Sequence, residues 1–402
     1  MSEQDPRKAG DEEHKVRDRT EPFVLALDET PEVGDAVKED PLVQNDLSEG
    51  AVPLTERFKD RRTQLSIIVP VLVLILFAVA LPGFELDTLV GYVLSADPLW
   101  LVVAFAIYYL GFPLRGYRWS LLLRGIGAKV GVRDSTEIIF VSWLVNSVVP
   151  AKLGEVYRAW LLKVNFPVSL SATFGTIFIE RIFDIFAIVI LGLGAAFWSF
   201  RNGLDDTVRL IMFVGIIVVV VMAVALFTLR NFGRRLVERL PLPDKAKGLY
   251  QHFEDGVFSV DRRTLPLVAF LTLLIWTTEA LRLLFVVEAL GFEISLGISG
   301  AFFVALVASL LTAVPFTPAG LGIVEAGIVG LLTVVYQADP NEAAAIALVD
   351  RGISVLSVIV LGFIAYLLSP KTKGGRRATD PDDPDGGSAE DEGPAEQEAT
   401  TA

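Results

Sequence analysis

Asn146-Ser147-Val148-Val149-Pro150-Ala151-Lys152-Leu153-Gly154-Glu155-Val156-Tyr157-Arg158, an apolar passage, and then Glu180-Arg181-Ile182-Phe183-Asp184 decide how this sequence is read. A Pro and a Gly interrupt a hydrophobic run, a Glu and an Arg follow at once, and an acid-Arg-x-x-acid cluster sits inside the next long apolar run. A broken helix beside charge at bilayer depth is tolerated only where protein or a water-filled cavity surrounds it.

Working outward, the chain alternates apolar runs with charged connections. Of its 402 residues, 52% are hydrophobic, and several runs approach the roughly 20 residues needed to span a bilayer. The fold class is an all-α polytopic membrane protein. We expect six full spans, near 66–81, from about Leu99 to an end among Arg115 to Arg133, and near 172–198, 210–229, 265–290 and 343–368, plus two re-entrant broken-helix hairpins. Residues 1–62 and 370–402 are acidic and Pro-rich and read as disordered tails around a membrane domain at 63–369. The acid in these tails, with Arg exceeding Lys, resembles the composition of a high-salt-adapted organism. The formal net charge of -13 lies mostly there and says little about partners. The sequence opens without a signal-type apolar core.

Basic residues fix an orientation. Arg57, Lys59, Arg61 and Arg62 precede the first run, and Arg115, Arg118, Arg124, Lys129 and Arg133 close the second. Arg230 to Arg263 form a basic linker, and Lys371 to Arg377 follow the last run. The positive-inside rule puts all of these, and both termini, in the cytoplasm of a cell-membrane protein. Glu85, Asp87 and Asp97 fall in an outside loop. Tyr117 and Trp119 read as interfacial anchors. Leu249, Phe253 and Val257 read as one face of a short helix on the inner membrane surface.

The second broken element is Ile298 to Val335. Ser147-x-Val149-Pro150 matches Thr312-x-Val314-Pro315, and Pro150-Ala151-x-Leu153-Gly154 matches Pro318-Ala319-x-Leu321-Gly322. Glu180-Arg181 matches Asp350-Arg351, and Arg118 and Gly127 match Arg282 and Gly291. With the assigned orientation, the repeats at 99–199 and 265–368 face opposite ways. Inverted repeats with broken helices place a transporter's site near the midplane. The helix breaks are Pro150, Gly154, Pro315, Pro318 and Gly322. The candidate substrate-binding set is Glu155, Arg158, Glu180, Arg181, Asp184, Glu325, Asp350 and Arg351. Arg181 and Asp184 can pair at i, i+3, and Glu180 shares a face with Asp184 at i, i+4, so one acid pairs and the other is left for Arg158, a proton or a substrate. Glu279 and Arg282 read as a structural pair. Helices beginning near Leu153 and Leu321 would aim positive dipole ends at a phosphate. The competing reading is that these charges only staple helices together.

The sequence has no Cys and only His14 and His252, so no metal or cofactor is expected, and no phosphate-binding Gly-x-x-x-x-Gly-Lys-Ser/Thr loop is present. The combination Asn146, Pro150, Gly154-Glu155-x-x-Arg158, Glu180-Arg181-x-x-Asp184 and Pro318-x-Gly320-x-Gly322-x-x-Glu325 resembles the flippase-like membrane domain of lysylphosphatidylglycerol synthases. The resemblance covers about 66–368. It implies movement of modified phospholipids between leaflets or, as in members fused to glycosyltransferases, a link to polyprenyl-linked sugars. No aminoacyl-transfer domain lies within these residues, so the expectation is a translocator for an anionic or phosphate-linked lipid, not an enzyme. The alternative is a membrane subunit that docks a cytosolic lipid-modifying or glycosyl-transferring enzyme. No nucleic-acid partner is expected.

Overall fold

The computed structural model describes residues 86–149, 151–201, 203, 206–294, 296–312 and 317–373. The N-terminal tail, the first expected span, Pro150, Pro315 and the tail beyond 373 lie outside the described residues. Thirteen α-helices are described: α1 Leu86–Ser95, α2 Pro98–Gly125, α3 Val132–Val148, α4 Leu153–Asn165, α5 Leu170–Ser199, α6 Asp206–Thr228, α7 Arg234–Arg239, α8 Asp244–Val257, α9 Leu265–Leu290, α10 Gly297–Leu311, α11 Ile323–Val334, α12 Pro340–Arg351 and α13 Ser357–Leu368. Among the described residues, five stretches are long and apolar enough to cross a membrane: α2, α5, α6 continuing into α7, α9, and α12 continuing into α13. The protein is therefore a multi-pass helical membrane protein.

Local chemistry sets the helix ends. Asp97 caps α2 by accepting the Leu99 N–H at 2.8 Å, with Pro98 in the first turn, where a missing N–H costs nothing. Asp339 and Pro340 start α12 in the same way. Gly291 closes α9 with φ 66, a left-handed cap that glycine adopts without strain. Between α12 and α13, the π-helical turn Gly352–Leu356 widens the helix without breaking it.

The two halves pack alike. α2 lies along α9 at the centre. α3 pairs with α4, and α10 with α11. α5 of the first half packs on α10 of the second, and α13 of the second packs on α3 of the first. α4 and α11 have 13 and 12 residues. At about 1.5 Å per residue each is ~20 Å long, too short to cross a core of ~30 Å. The backbone at the breaks repeats as well: Ala151 and Lys152 have φ 63 and 53, and their counterparts Ala319 and Gly320 have φ 50 and 70.

Several expectations need correction. The stretch expected as an outside loop is helical over most of its described residues, because α1 covers Leu86–Ser95. The fourth expected span does not end as a helix at Leu229: α6 runs through a π turn, Leu229–Gly233, into α7, since no proline intervenes before Pro241. Trp119 is not an interfacial anchor but fully buried. The last tail begins in order: Pro370–Lys373 forms a 3-10 turn pinned by Lys371 to Glu137 at 2.6 Å and to Asp134 at 2.9 Å. Burial pulls the Lys371 ammonium down, but those two carboxylates outweigh it and hold it above its ordinary value.

Helix α8 exists where the i, i+4 pattern placed it, yet it docks on α5 and buries Val257, while Leu249 stays exposed. Gly175 and Gly256 permit the contact. A Cβ on Gly175 would stand 2.2 Å from the Phe253 carbonyl oxygen, and one on Gly256 2.1 Å from the Ala172 carbonyl oxygen. Backbone cannot yield as a side chain does, so Gly175→Val is expected to destabilise by about 1–3 kcal/mol. The change should appear as a lower Tm in detergent together with faster proteolysis within α8. An unchanged melt would mean that α8 is not seated here.

Candidate functional site

Charge that the membrane cannot tolerate singly is gathered into two networks and a pair. In the first network, Arg118, Arg158 and Arg181 face Glu155, Glu180 and Asp184. Arg158 binds Glu180 through both guanidinium ends at 2.7 and 3.1 Å. Arg118 reaches Asp184 at 2.6 Å and Glu180 at 3.2 Å. Arg181 reaches Glu155, Glu180 and Asp184 at 3.1, 3.0 and 3.2 Å. In the second network, Glu279 accepts from Arg115 at 2.6 Å and Arg282 at 3.2 Å, and Arg282 also binds the Asp350 carboxylate. Arg351 forms a separate pair with Glu325 at 2.8 Å.

These contacts follow the internal repeat. Arg118 to Glu180 has its counterpart in Arg282 to Asp350. Arg181 Nε to Glu155, on the short helix after the first break, has its counterpart in Arg351 Nε to Glu325, on the short helix after the second. The breaks are stitched from within. Asn146 accepts the Gly154 N–H at 2.8 Å, and Glu325 accepts the Gly322 N–H at 2.5 Å. Each short helix therefore has a first-turn donor already committed to the chain's own side chain, which reduces what its dipole end offers a phosphate.

A cavity of about 160 Å³ opens between the halves. Of the eight candidate residues, Glu155, Arg181, Asp184, Asp350 and Arg351 line it. Arg158, Glu180 and Glu325 do not; they are buried behind the wall, 2%, 1% and 1% exposed, and hold the lining residues in place. Arg158 lies over Trp119 at 3.7 Å from the ring centre, and Trp119 donates its indole N–H to Thr176 at 3.2 Å. Sequence reasoning left Lys152, Arg115, Glu279 and Arg282 out of the set, yet all four line the cavity. The match of Arg118 to Arg282 was the available signal for the α2 and α9 arginines. The Glu279–Arg282 pair forms as expected and also engages Arg115 and Asp350.

A second hollow of about 560 Å³ is lined by apolar residues, among them Leu101, Val102, Phe105, Leu348 and Val349, together with Gly352. The π turn serves both hollows: Gly352 and Ile353 face the apolar one, Ser354 and Val355 the polar one. Tyr108 donates to the Ser354 carbonyl at 3.0 Å, and Tyr109 meets Ser357 at 2.7 Å, joining α2 to this turn.

Helices broken about a buried charged cavity define a multi-pass membrane protein with an internal polar site. The chain belongs to the family of the lysylphosphatidylglycerol synthase TM region, which matches residues 65–362. It is 35% identical to a UPF0104 membrane protein of Methanocaldococcus jannaschii, over 45% of this chain and 75% of that one. It is 28% identical to the glycosyltransferase AglD of Haloferax volcanii, over 66% of this chain but only 49% of that protein. A UPF0104 membrane protein of Methanothermobacter thermautotrophicus is 25% identical over 58% of this chain and 74% of its own length.

Arg351 and Glu325 test what a buried pair contributes. Removing one partner strands a charge and is expected to cost about 3–5 kcal/mol, whereas removing both costs much less. Glu325→Leu should thus lower the Tm sharply, and Glu325→Leu with Arg351→Met should recover part of the loss. Additive losses in a thermal-melt cycle would show the two act independently.

Proposed function

We propose that this protein moves an anionic or phosphate-linked lipid, a modified phospholipid or polyprenyl-linked sugar, between membrane leaflets and makes no covalent bonds. The observation that carries this reading is the polar cavity sharing the α12–π–α13 wall with an apolar hollow. A head group needs the first environment and a hydrocarbon chain the second. The symmetric breaks support the reading further, since inverted repeats with discontinuous helices let one half rock against the other. In this reading the hairpins α3–α4 and α10–α11 are re-entrant, six spans cross the bilayer, and both termini are cytoplasmic.

A second reading is favoured by a specific observation: the relative AglD is named a glycosyltransferase, and about half of it lies outside the match. The chain would then be a membrane subunit that docks a cytosolic lipid-modifying enzyme and transports nothing.

Leaflet exchange in reconstituted vesicles separates the two. Fluorescent phospholipid and prenyl-phosphate analogues should become accessible to a membrane-impermeant quencher faster than in empty vesicles. A rate equal to the empty control would refute transport. Topology has its own test, made clean by the lack of native Cys. Cysteines at Asp87 and Asp339 should react with an impermeant thiol reagent from outside, and one at Lys247 should not. A reversed pattern would overturn the orientation, and a mixed pattern the inverted repeat.

A further inference from the structure

We infer that the group this cavity receives is a phosphodiester with a single negative charge, and that Lys152 and Arg115 hold it. The inference rests on the translocator reading and narrows its substrate. The charges around the cavity cancel. The first network sets three arginines against three carboxylates, the second sets two against two, and Arg351 answers Glu325. Lys152 lines the same cavity. Among the described residues no carboxylate comes within ion-pairing distance of it, so the cavity carries one unbalanced positive charge.

The backbone at Lys152 adds to this. Its φ of 53 and ψ of 34 are left-handed, a conformation that a side chain bearing a Cβ adopts at a cost. The matching position in the other half is Gly320, with φ 70, where no such cost arises. The fold thus tolerates glycine at this point of the break, and one half carries a strained lysine instead. Ala151 and Ala319 are left-handed too, with φ 63 and 50, so the strain marks the break as held by its surroundings, and it is the choice of lysine over glycine at this one position that points to the side chain.

Arg115 supplies the second, independent observation. It is 5% exposed, lines the cavity and binds Glu279 through Nη2, while its buried Nη1 has no hydrogen-bond partner. The guanidinium is held over Trp143 at 4.8 Å and rests on Gly111, where a Cβ would meet Nη1 at 2.5 Å. A buried donor left open costs stability unless a ligand completes it. Thr317, on the opposite break, lines the cavity with a buried and likewise unpartnered hydroxyl.

A phosphodiester has one ionised oxygen and matches one unbalanced lysine. A phosphomonoester carries about -1.5 to -2 near neutrality, and a diphosphate linkage also exceeds one. Either would leave uncompensated charge in a membrane interior. The shared chemistry could come from a glycerophospholipid or from a prenyl-phosphate sugar.

The test uses the full chain in detergent, titrated with phosphatidylglycerol, a prenyl-phosphate hexose, phosphatidic acid and a prenyl-diphosphate sugar, with bound lipid read by native mass spectrometry. At least one phosphodiester should bind at least tenfold more tightly than the monoester or diphosphate with the same tail, and the tail that wins identifies the source. Lys152→Gln should lose at least tenfold in that affinity, while Lys152→Arg retains most of it. Lys152→Gly should melt no lower than the parent yet bind as poorly as Lys152→Gln, which separates lost ligand from lost fold. Unchanged binding by Lys152→Gln, or a preference for the diphosphate, overturns the inference. If Lys152→Gln also keeps full leaflet exchange, the translocator reading stands without it. Absence of binding and exchange for every lipid overturns both.

Discussion

The cancellation of charge between arginines and carboxylates is the constraint on which the rest of this structure depends. An ionised side chain in a membrane helix costs about 2.5–3.5 kcal/mol on insertion scales. Arg118, Arg158, Glu180 and Glu325 are all almost wholly buried, so each must meet its partner for the helices to assemble. The partners come from different helices: Arg118 on α2 with Asp184 on α5, Arg282 on α9 with Asp350 on α12. Pairing therefore fixes which helices adjoin, and the apolar packing of α2 on α9 fills in around it.

The halves share this scheme but differ in detail. Arg181 lies within reach of three carboxylates and stays a third exposed, while its counterpart Arg351 has one carboxylate and is nearly buried. Arg351 spends another donor on the Ala319 carbonyl at 2.5 Å, which ties the second break shut. The first break is tied by Asn146, a neutral group. Both arginines line the cavity, but Arg351 also holds backbone at its break, whereas Arg181 is held by carboxylates.

How much of this could be read from the sequence depended on the distance between partners. The breaks were legible, because a Pro followed closely by a Gly inside an apolar run removes a backbone donor and loosens the chain at one place, which stops a helix there. The i, i+3 pairing of Arg181 with Asp184 was legible too. Arg115 and Arg118 were misplaced, because counting basic residues near the end of a span treats a buried arginine and a snorkelling one alike. Their partners Glu279 and Glu180 lie on other helices, so no local pattern announced them. Trp119 misled for the same reason: the cation that covers it, Arg158, comes from α4. The helical character of α7 and α8 was only partly visible, because charge density suggests a loop whether or not the backbone hydrogen-bonds.

The stitched starts of α4 and α11 carry a consequence for how readily this site changes. A site built from bare backbone amides has its chemistry written into the path of the chain, and changing what it accepts requires rebuilding a turn. Here Asn146 and Glu325 have already taken up backbone donors, so what the cavity accepts is left mainly to side chains on a fixed frame. Single substitutions at lining positions can then retune its charge while the fold stays put.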